Sequence, residues 1–182
     1  MTDLFIGCAR LIARYNGIED APHVRDDILG MVAYKGILEM AAKAAAHEPV
    51  LDGNTGIAIP NPIHTNIAKL YSNQNFVNVI SGLVDVAGGL TSTLPSTDDL
   101  NSEEVGRYVA HYLQARERYS GEDRFKLLRL IRELVGGPMT GYSIGLFVHA
   151  EGSIAASKIA LYREYDFTRA EELVSRLAGV PR

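Results

Sequence analysis

The chain has 182 residues, of which 47% are hydrophobic and 22% charged, a composition typical of a globular protein with a packed core. Its net charge of −4 and pI of about 5.7 exclude a broad basic surface, so nucleic acid is not an expected partner. The single cysteine, Cys8, excludes an intramolecular disulfide and a cysteine-built metal site, and favours a reducing, cytoplasmic compartment.

The first predicted element is an apolar helix over residues 4–15 that ends at Gly17. Asp3 precedes the apolar stretch and two arginines interrupt it, so it is too short and too charged for a signal peptide or a membrane span. We therefore expect no membrane association. Cys8 lies on this helix and is interpreted as a buried packing residue rather than a reactive thiol.

A second helix is predicted from about Pro22 to about His47, with the proline well placed in the first turn. One face of this helix is shared by Ala33, Ile37, Met40, Ala41 and Ala44. Residues 51–62 read as a loop, with a turn at Asp52-Gly53-Asn54 and a short strand over residues 55–59.

The longest predicted helix runs from about Pro62 to Ala87 and carries a polar patch, Tyr71–Asn75, in its middle. Two adjacent glycines, Gly88 and Gly89, follow it. One interpretation is a plain helix stop, because glycine tolerates the left-handed conformation past a helix end. The other is a backbone kept free of side chains so that a ligand can approach it. The local sequence leaves both open.

Two further helices have start signals in the sequence. Asn101–Glu104 resembles a capping box, and Ser120–Asp123 caps a helix that reaches Gly136-Gly137. The basic residues of the stretch Arg124–Arg132 fall on the polar face of that second helix. They are interpreted as a solvated face rather than a phosphate-binding surface.

Gly141–Tyr162 is apolar and predicts a helix, a break near Ala150–Ser153, and a second helix. His149 and Glu151 flank the break, where the free N–H groups of the second helix would make a contact for an anion or a substrate. The alternative is a polar break in which Ser153 is simply the N-cap.

A last helix is predicted between Asp166 and Gly179, which completes six or seven helices with short connections. The predicted fold class is all-α, one antiparallel helical bundle spanning residues 1–182. A di-metal bundle would need Glu-x-x-His pairs, and no histidine has a glutamate three residues before it. No metal site is expected.

The order and spacing of several stretches resemble the C-terminal region of the 4-hydroxyphenylacetate 3-hydroxylase and 4-hydroxybutyryl-CoA dehydratase flavoprotein family. These stretches are Asp3–Gly17, His23–Asp26, Asn66–Lys69, Asp85–Leu90, Leu94–Ser96, residues 124–134, Gly141-Tyr142, His149 with Gly152-Ser153, and Leu177–Gly179. The closing third is more similar to the dehydratase branch.

The resemblance implies an acyl-CoA-dehydrogenase-like architecture, of which this chain is the C-terminal bundle without the upstream helical and β domains. It implies FAD bound between subunits, with Gly88 and Gly89 approaching the flavin and the patch around Gln74 facing the same crevice. His149 and Glu151 become the candidate catalytic residues, and the substrate is expected to be a CoA thioester or a phenol.

Three departures from the family pattern bear on catalysis. The cysteine and histidine ligands of the dehydratase iron–sulfur cluster lie upstream, and Cys8 does not match them, so no cluster is expected from this chain alone. The carboxylate expected after Gly141-Tyr142 is missing from Ser143–Phe147, and Glu151 is its nearest substitute. The basic residue expected in the long helix corresponds to Gln74.

The resemblance therefore predicts an enzyme component that needs a partner chain or a homo-oligomer. Its chemistry would be that of an FAD-dependent dehydratase or, as runner-up, a flavin-dependent aromatic hydroxylase. The alternative hypothesis is a non-catalytic helical oligomerisation or binding paralogue, for which the small-residue-rich segment Ser143–Ala160 would be the assembly face.

Overall fold

The structure, a computed structural model, describes residues 1–150 and 152–182 and is almost wholly helical. Its α-helices are α1 Thr2–Asn16, α2 Pro22–His47, α3 Pro62–Ala87, α4 Leu90–Thr93, α5 Thr97–Asn101, α6 Gly106–Leu113, α7 Gly121–Val135, α8 Pro138–Ile144, α9 Ile154–Glu164 and α10 Thr168–Ala178. A π-helical segment, Gly145–Ala150, follows α8, and the strands β1 Val50–Leu51 and β2 Ala58–Ile59 pair antiparallel. The count of helices exceeds the predicted six or seven because short helices occupy the predicted loops.

The principal helix ends lie where local sequence signals predict them. Gly17 ends α1 in the left-handed conformation with φ 75°, and the Asn61 side chain accepts hydrogen bonds from two amides at the start of α3. Ser120 caps α7 by accepting from the Asp123 N–H. Each of these helix ends is set by a residue that lies within one helical turn of it, which is why the sequence alone predicts them.

The predicted turn at Asp52-Gly53-Asn54 is confirmed, and the strand predicted over residues 55–59 forms only at Ala58–Ile59, where it pairs with a strand at Val50–Leu51 that was not predicted. The Asp52 carboxylate accepts hydrogen bonds from the Asn54 N–H and the Thr55 hydroxyl, and this turn connects β1 to β2. The same two bonds hold the pKa of the Asp52 carboxyl below its usual value, since they stabilise its charged form.

The predicted helix start at Asn101–Glu104 is wrong. The capping box lies earlier, where Ser96 and Asp99 bond reciprocally at the start of α5. Ser102 does accept hydrogen bonds from Glu104 and Val105, but residues 103–105 form a turn and α6 begins only at Gly106.

The face of α2 that carries Ala33, Ile37, Met40, Ala41 and Ala44 is not the face that the helix buries. The buried residues of α2 are Val24, Met31, Tyr34 and Ala45, whereas Met40 is 64% exposed. The helix packs on α1 and α3 with a face rotated from the alanine-rich one. Alanine favours helix formation on any face, so it does not report which side is buried.

The core is built around α3, which packs against α1, α2, α7, α9 and the π-helical segment. The fully buried side chains of the core include Phe5, Ile12, Leu83, Leu128 and Ile131, from α1, α3 and α7. Because α3 touches both the N-terminal helices and the segment after α8, it brings the middle of the chain next to the predicted break at residues 150–153.

A close backbone approach joins α6 to α7. A Cβ atom on Gly121, the first residue of α7, would lie 1.7 Å from the Ala110 carbonyl oxygen. That distance leaves no room for any side chain, so the packing of α6 on α7 depends on this glycine.

One apolar stretch within Gly121–Glu164 is long and apolar enough to cross a membrane by length and composition. A single stretch of this kind is weak evidence, because core helices of globular proteins pass the same test.

Candidate functional site

The break in the apolar C-terminal region combines a π-helical segment with a glycine turn. Gly145–Ala150 forms π-helix, and Gly152 adopts φ 100°, a conformation that L side chains rarely take. The Ser153 hydroxyl then accepts a hydrogen bond from the Ala156 N–H at 3.1 Å and begins α9. The predicted break and the Ser153 N-cap are both confirmed. Short π-helical segments occur frequently at functional sites.

A side chain of α3 holds this break in place. The Asn73 amide Nδ2 donates to the Gly152 carbonyl at 2.9 Å, and Asn73 is only 3% exposed. Its Oδ1 atom is buried and accepts no hydrogen bond from the residues that the structure describes. The Lys69 side chain also lies here, with its Nζ atom 3.6 Å from the position that a Cβ on Gly152 would occupy.

A cleft of about 680 Å³ opens next to the break, between α2, α3 and the π-helical segment. Leu38 and Ala42 form its α2 wall, Lys69 and Ser72 its α3 wall, and Phe147 lines it from the π-helical segment. Phe147 is anchored by the Phe76 ring, at a centroid separation of 4.8 Å.

The inner end of this cleft carries a pair of buried hydroxyls. The Tyr34 hydroxyl and the Ser72 Oγ lie 3.0 Å apart, and both residues are at most 4% exposed. Ser72 lines the cleft, whereas Tyr34 lines a second cavity of about 300 Å³ together with Tyr71 and Asn75. The hydroxyl pair thus stands between two cavities along the same α2–α3 groove.

The structure places the predicted site residues in different environments. His149 is exposed at the end of the π-helical segment, and its carbonyl accepts from the Gly152 N–H at 3.2 Å. Glu151 lies outside the described residues. Gln74 is exposed, while its neighbours Ser72 and Asn73 are the buried members of the polar patch.

The two glycines after α3 have different structural roles. Gly88 ends the helix with φ 77° and donates its N–H to the Val84 carbonyl, as a plain helix stop requires. Gly89 has φ −59°, which any residue can adopt, and a Cβ there would meet nothing within 4 Å. The N–H groups of Gly89 and Leu90 have no hydrogen-bond acceptor in the described part of the chain. The fold therefore explains Gly88 but gives no reason for Gly89.

Gln74 and the two glycines lie on one side of α3. The exposed residues of this helix beyond Gln74 are Val77, Asn78, Ser81, Val84 and Asp85, and Gly88 follows them. At 1.5 Å of rise per residue, the stripe from Gln74 to Gly88 is roughly 21 Å long. It is a continuous surface along which an extended ligand or another polypeptide can lie.

Two carboxyl groups, those of Asp27 and Asp85, meet near the end of α3 that leads to Gly88 and Gly89. Burial, and then a hydrogen bond with the Asp85 carboxyl, raise the pKa of Asp27 above its usual value. His23 opposes the rise and Asp26 adds to it. Such an acidic pair accepts hydrogen bonds from hydroxyl groups but repels phosphate, so this part of the stripe favours a ligand's hydroxyls.

The residues that the structure describes contain no group of three or more histidine, cysteine, aspartate or glutamate side chains arranged to hold a metal ion. Cys8 is buried, and burial raises the pKa of its thiol. A thiol of raised pKa is a poor nucleophile and a poor metal ligand, which agrees with its interpretation as a packing residue.

The sequence analysis missed Tyr34, Lys69 and Asn73 as site residues. The polar patch in α3 was a usable signal for Asn73, since polar residues inside an apolar helix must find partners. Tyr34 had no such signal, because its place in the groove depends on which face α2 buries. Lys69 had no signal either, because nothing in the sequence shows that the break at Gly152 packs beside it.

The chain folds as an α-helical bundle in which the π-helical segment, and the break that follows it, lie beside the central helix α3. It is the C-terminal bundle of acyl-CoA-dehydrogenase-like flavoproteins, as predicted. The sequence model of the family described as 4-hydroxyphenylacetate 3-hydroxylase C terminal matches residues 1–179. The chain belongs to this family.

Two relatives show the range of the family. The chain is 29% identical to 4-hydroxybutyryl-CoA dehydratase/vinylacetyl-CoA-Δ-isomerase of Clostridium aminobutyricum, over 98% of this chain and 38% of that protein. It is 26% identical to a (3S)-3-amino-3-(3-chloro-4-hydroxyphenyl)propanoyl-carrier-protein monooxygenase of Streptomyces globisporus, over 75% of this chain and 28% of the relative.

Solved structures agree on the fold. The oxygen-tolerant 4-hydroxybutyryl-CoA dehydratase of N. maritimus matches 100% of this chain and 36% of its own, with a TM-score of 0.92 and 28% identity. The oxygenase component of 4-hydroxyphenylacetate 3-monooxygenase, complexed with FAD and 4-hydroxyphenylacetate, covers 97% of this chain and 36% of its own with a TM-score of 0.88. Its 19% identity supports the fold alone. This chain thus spans little more than a third of the length of these relatives.

Proposed function

We propose that this chain is the C-terminal helical component of an FAD-dependent enzyme whose remaining domains come from other polypeptide segments, as a partner chain or within an oligomer. In this proposal the outer stripe of α3, from Gln74 to Gly89, covers a flavin held mainly by those segments. FAD would supply the redox chemistry, and this chain would bind and orient the substrate. We place the complex in the cytoplasm, consistent with a single buried cysteine.

The observation that carries the proposal is Gly89. Neither its φ nor its surroundings in the chain require a glycine, and two neighbouring amides point to no acceptor within the described residues. Exposed backbone without a side chain fits close approach of a group from outside the chain. The N–H groups of Gly89 and Leu90 can donate to the carbonyl and hydroxyl oxygens of a flavin with its ribityl chain. The Asp27–Asp85 pair can accept hydrogen bonds from the hydroxyl groups of that chain.

The chemistry that this chain contributes would take place at the break after the π-helical segment. His149 and Glu151 are our candidates for orienting the substrate and carrying a proton. We favour dehydration of a hydroxyacyl-CoA over hydroxylation of a phenol. The higher identity of the chain to the dehydratases supports this choice, since 29% and 28% are reached there against 26% for the monooxygenase.

The second candidate function is a non-catalytic assembly module. Apolar side chains on α8, the π-helical segment and α9 stand uncovered: Met139 is 53% exposed, Tyr142 69%, Ile159 68% and Tyr162 76%. A face of this kind indicates contact with further polypeptide. Such contact is needed in both hypotheses, so the bound cofactor is what distinguishes them.

The first experiment is native mass spectrometry of the protein isolated anaerobically from its own cells. We expect a complex that contains a larger polypeptide and the mass of FAD. A simple multiple of this chain's own mass with nothing bound would contradict the enzyme proposal and support the assembly module.

A residue-level test uses Gly89→Ala in the assembled complex. We expect FAD to bind at least tenfold more weakly, measured by flavin fluorescence, while the unfolding temperature stays within about 2 °C because nothing in the chain meets the new Cβ. Gly7→Ala is the matched control, since its Cβ also meets nothing within 4 Å and it lies on α1. Unchanged FAD affinity in the Gly89 variant would refute the role of the turn.

A further inference from the structure

Lys69 is the charged side chain of the cleft between α2, α3 and the π-helical segment. Among the residues that the structure describes, the other side chains that line this cleft are apolar or neutral, and they include Leu38, Ala42 and Phe147. The cleft volume of about 680 Å³ is in the range of small-molecule sites. In an otherwise apolar cleft, a single charged group fixes the orientation of the ligand.

The ammonium of Lys69 has no partner in the described part of the chain. The side chain is half-buried, yet it makes no ion pair and no hydrogen bond there. By contrast, Lys35 pairs with Asp3, and Lys126 pairs with Asp123. A cation held partly out of water gains most from an electron-rich partner, because its own hydration is reduced there.

Lys69 also lies beside the break at which we place the chemistry. It precedes Asn73 by one helical turn on the same face of α3, and the Asn73 amide donates to the Gly152 carbonyl at 2.9 Å. The Lys69 Nζ atom is 3.6 Å from the position that a Cβ on Gly152 would occupy. The cation is therefore held next to the turn that follows His149 and Glu151 in the chain, our candidates for carrying a proton.

We propose that the Lys69 ammonium donates a hydrogen bond to the thioester carbonyl oxygen of the hydroxyacyl-CoA, and that the acyl chain lies along Leu38 and Phe147. This assignment rests on the proposed function, which supplies the thioester. An ammonium has only donors and a carbonyl oxygen is an acceptor, so the two groups match. The phosphates of CoA are better served by clustered guanidinium groups, and no arginine lines this cleft among the described residues.

A hydrogen bond at this oxygen acts on the reaction through charge. When a base removes a proton from the carbon next to the thioester carbonyl, the electron pair of the broken C–H bond moves toward the carbonyl and leaves negative charge on its oxygen. An ammonium bonded to that oxygen stabilises the charge without giving up its own proton. The carbon that loses the proton is bonded to the carbonyl carbon, so it is brought close to the break, where His149 and Glu151 are the candidate bases.

The test compares the binding of two ligands, butyryl-CoA and S-butyl-CoA, to the assembled complex by isothermal titration calorimetry. Both have the acyl chain without its hydroxyl group, and S-butyl-CoA also lacks the carbonyl oxygen. We expect the unmodified complex to bind butyryl-CoA about tenfold more tightly or better, as a hydrogen bond to a charged group requires. This comparison does not depend on the folding of any variant. Lys69→Met keeps the apolar stem and should abolish the preference.

Infrared spectroscopy of the bound thioester reports the contact directly. With butyryl-CoA labelled with ¹³C at the carbonyl, we expect the carbonyl stretch at a lower frequency in the unmodified complex than in water, because a charge-assisted hydrogen bond weakens the C=O bond. The stretch should return toward its value in water in Lys69→Met. It should stay lowered in Lys158→Met, the matched control, because Lys158 lines a different apolar groove beside Leu161 and Tyr162.

The outcomes separate this role of Lys69 from the proposed function. An unshifted carbonyl stretch in the unmodified complex, or a preference for butyryl-CoA that Lys69→Met retains, would overturn the role of Lys69 and leave the proposed function standing. A complex that contains FAD but binds neither ligand would contradict the hydroxyacyl-CoA substrate and the role of Lys69 together. A complex that lacks FAD but keeps the Lys69-dependent preference would refute only the flavin proposal.

Discussion

The Asn73–Gly152 hydrogen bond is the connection on which the candidate site depends. Asn73→Ala removes the donor and leaves the Gly152 carbonyl without it, at a cost of about 1–3 kcal/mol for an unsatisfied buried group. The same change also deletes the unpartnered Oδ1 of Asn73, which offsets about 1 kcal/mol. We therefore expect a net loss of up to about 2 kcal/mol in the free energy of unfolding, equivalent to at most roughly 8 °C in a domain of this size.

The effect should be local as well as global. Because the bond ties the break to α3, its loss should raise amide hydrogen exchange in residues 145–150 and 152–157 by up to about thirtyfold, while α7 changes only with the global stability. Asn78→Ala is the matched control, since Asn78 is exposed and its side chain, among the described residues, bonds only to that of Asn75. Exchange in the break that rises no more than in α7 would show that Asn73 does not hold this segment.

Two further predictions concern packing and pH. Gly121→Ala should destabilise the protein by about 3 kcal/mol or more, because its Cβ would overlap the Ala110 carbonyl, whereas Gly36→Ala in open space should stabilise it by about 0.5–1 kcal/mol. Urea denaturation measures both, and a Gly121 variant as stable as the parent would contradict the α6–α7 contact. Asp27→Asn should raise stability at pH 7 by up to about 1 kcal/mol. The raised pKa of Asp27 means that the folded state binds its proton more tightly, so stability falls as pH rises from the unfolded pKa through the folded pKa. The stability gained by Asp27→Asn should therefore vanish below about pH 4, where Asp27 is protonated in both states. A gain that persists there would refute the carboxyl pair with Asp85.

Much of the fold could be read from the sequence because its signals are local. The bounds of α3, the Ser120 and Ser153 caps, the turn at Asp52 and the break before α9 each depend on residues within a few positions. The order of the family motifs also identified the family, which the match over residues 1–179 confirms. The prediction failed at the start of α6, because Asn101 is the last residue of α5, whose capping box is formed by Ser96 and Asp99, and α6 begins only at Gly106.

Only the tertiary structure decided which faces these helices bury. The polar patch of α3 was visible in the sequence, but the packing of α9 and the π-helical segment selected Asn73 as the inward residue and left Gln74 exposed. Likewise the Tyr34–Ser72 pair joins residues 38 positions apart. A helix carries its caps and its propensity in its own sequence, whereas the direction of each side chain toward a neighbour is fixed by rotation and register, which depend on every other helix in the bundle.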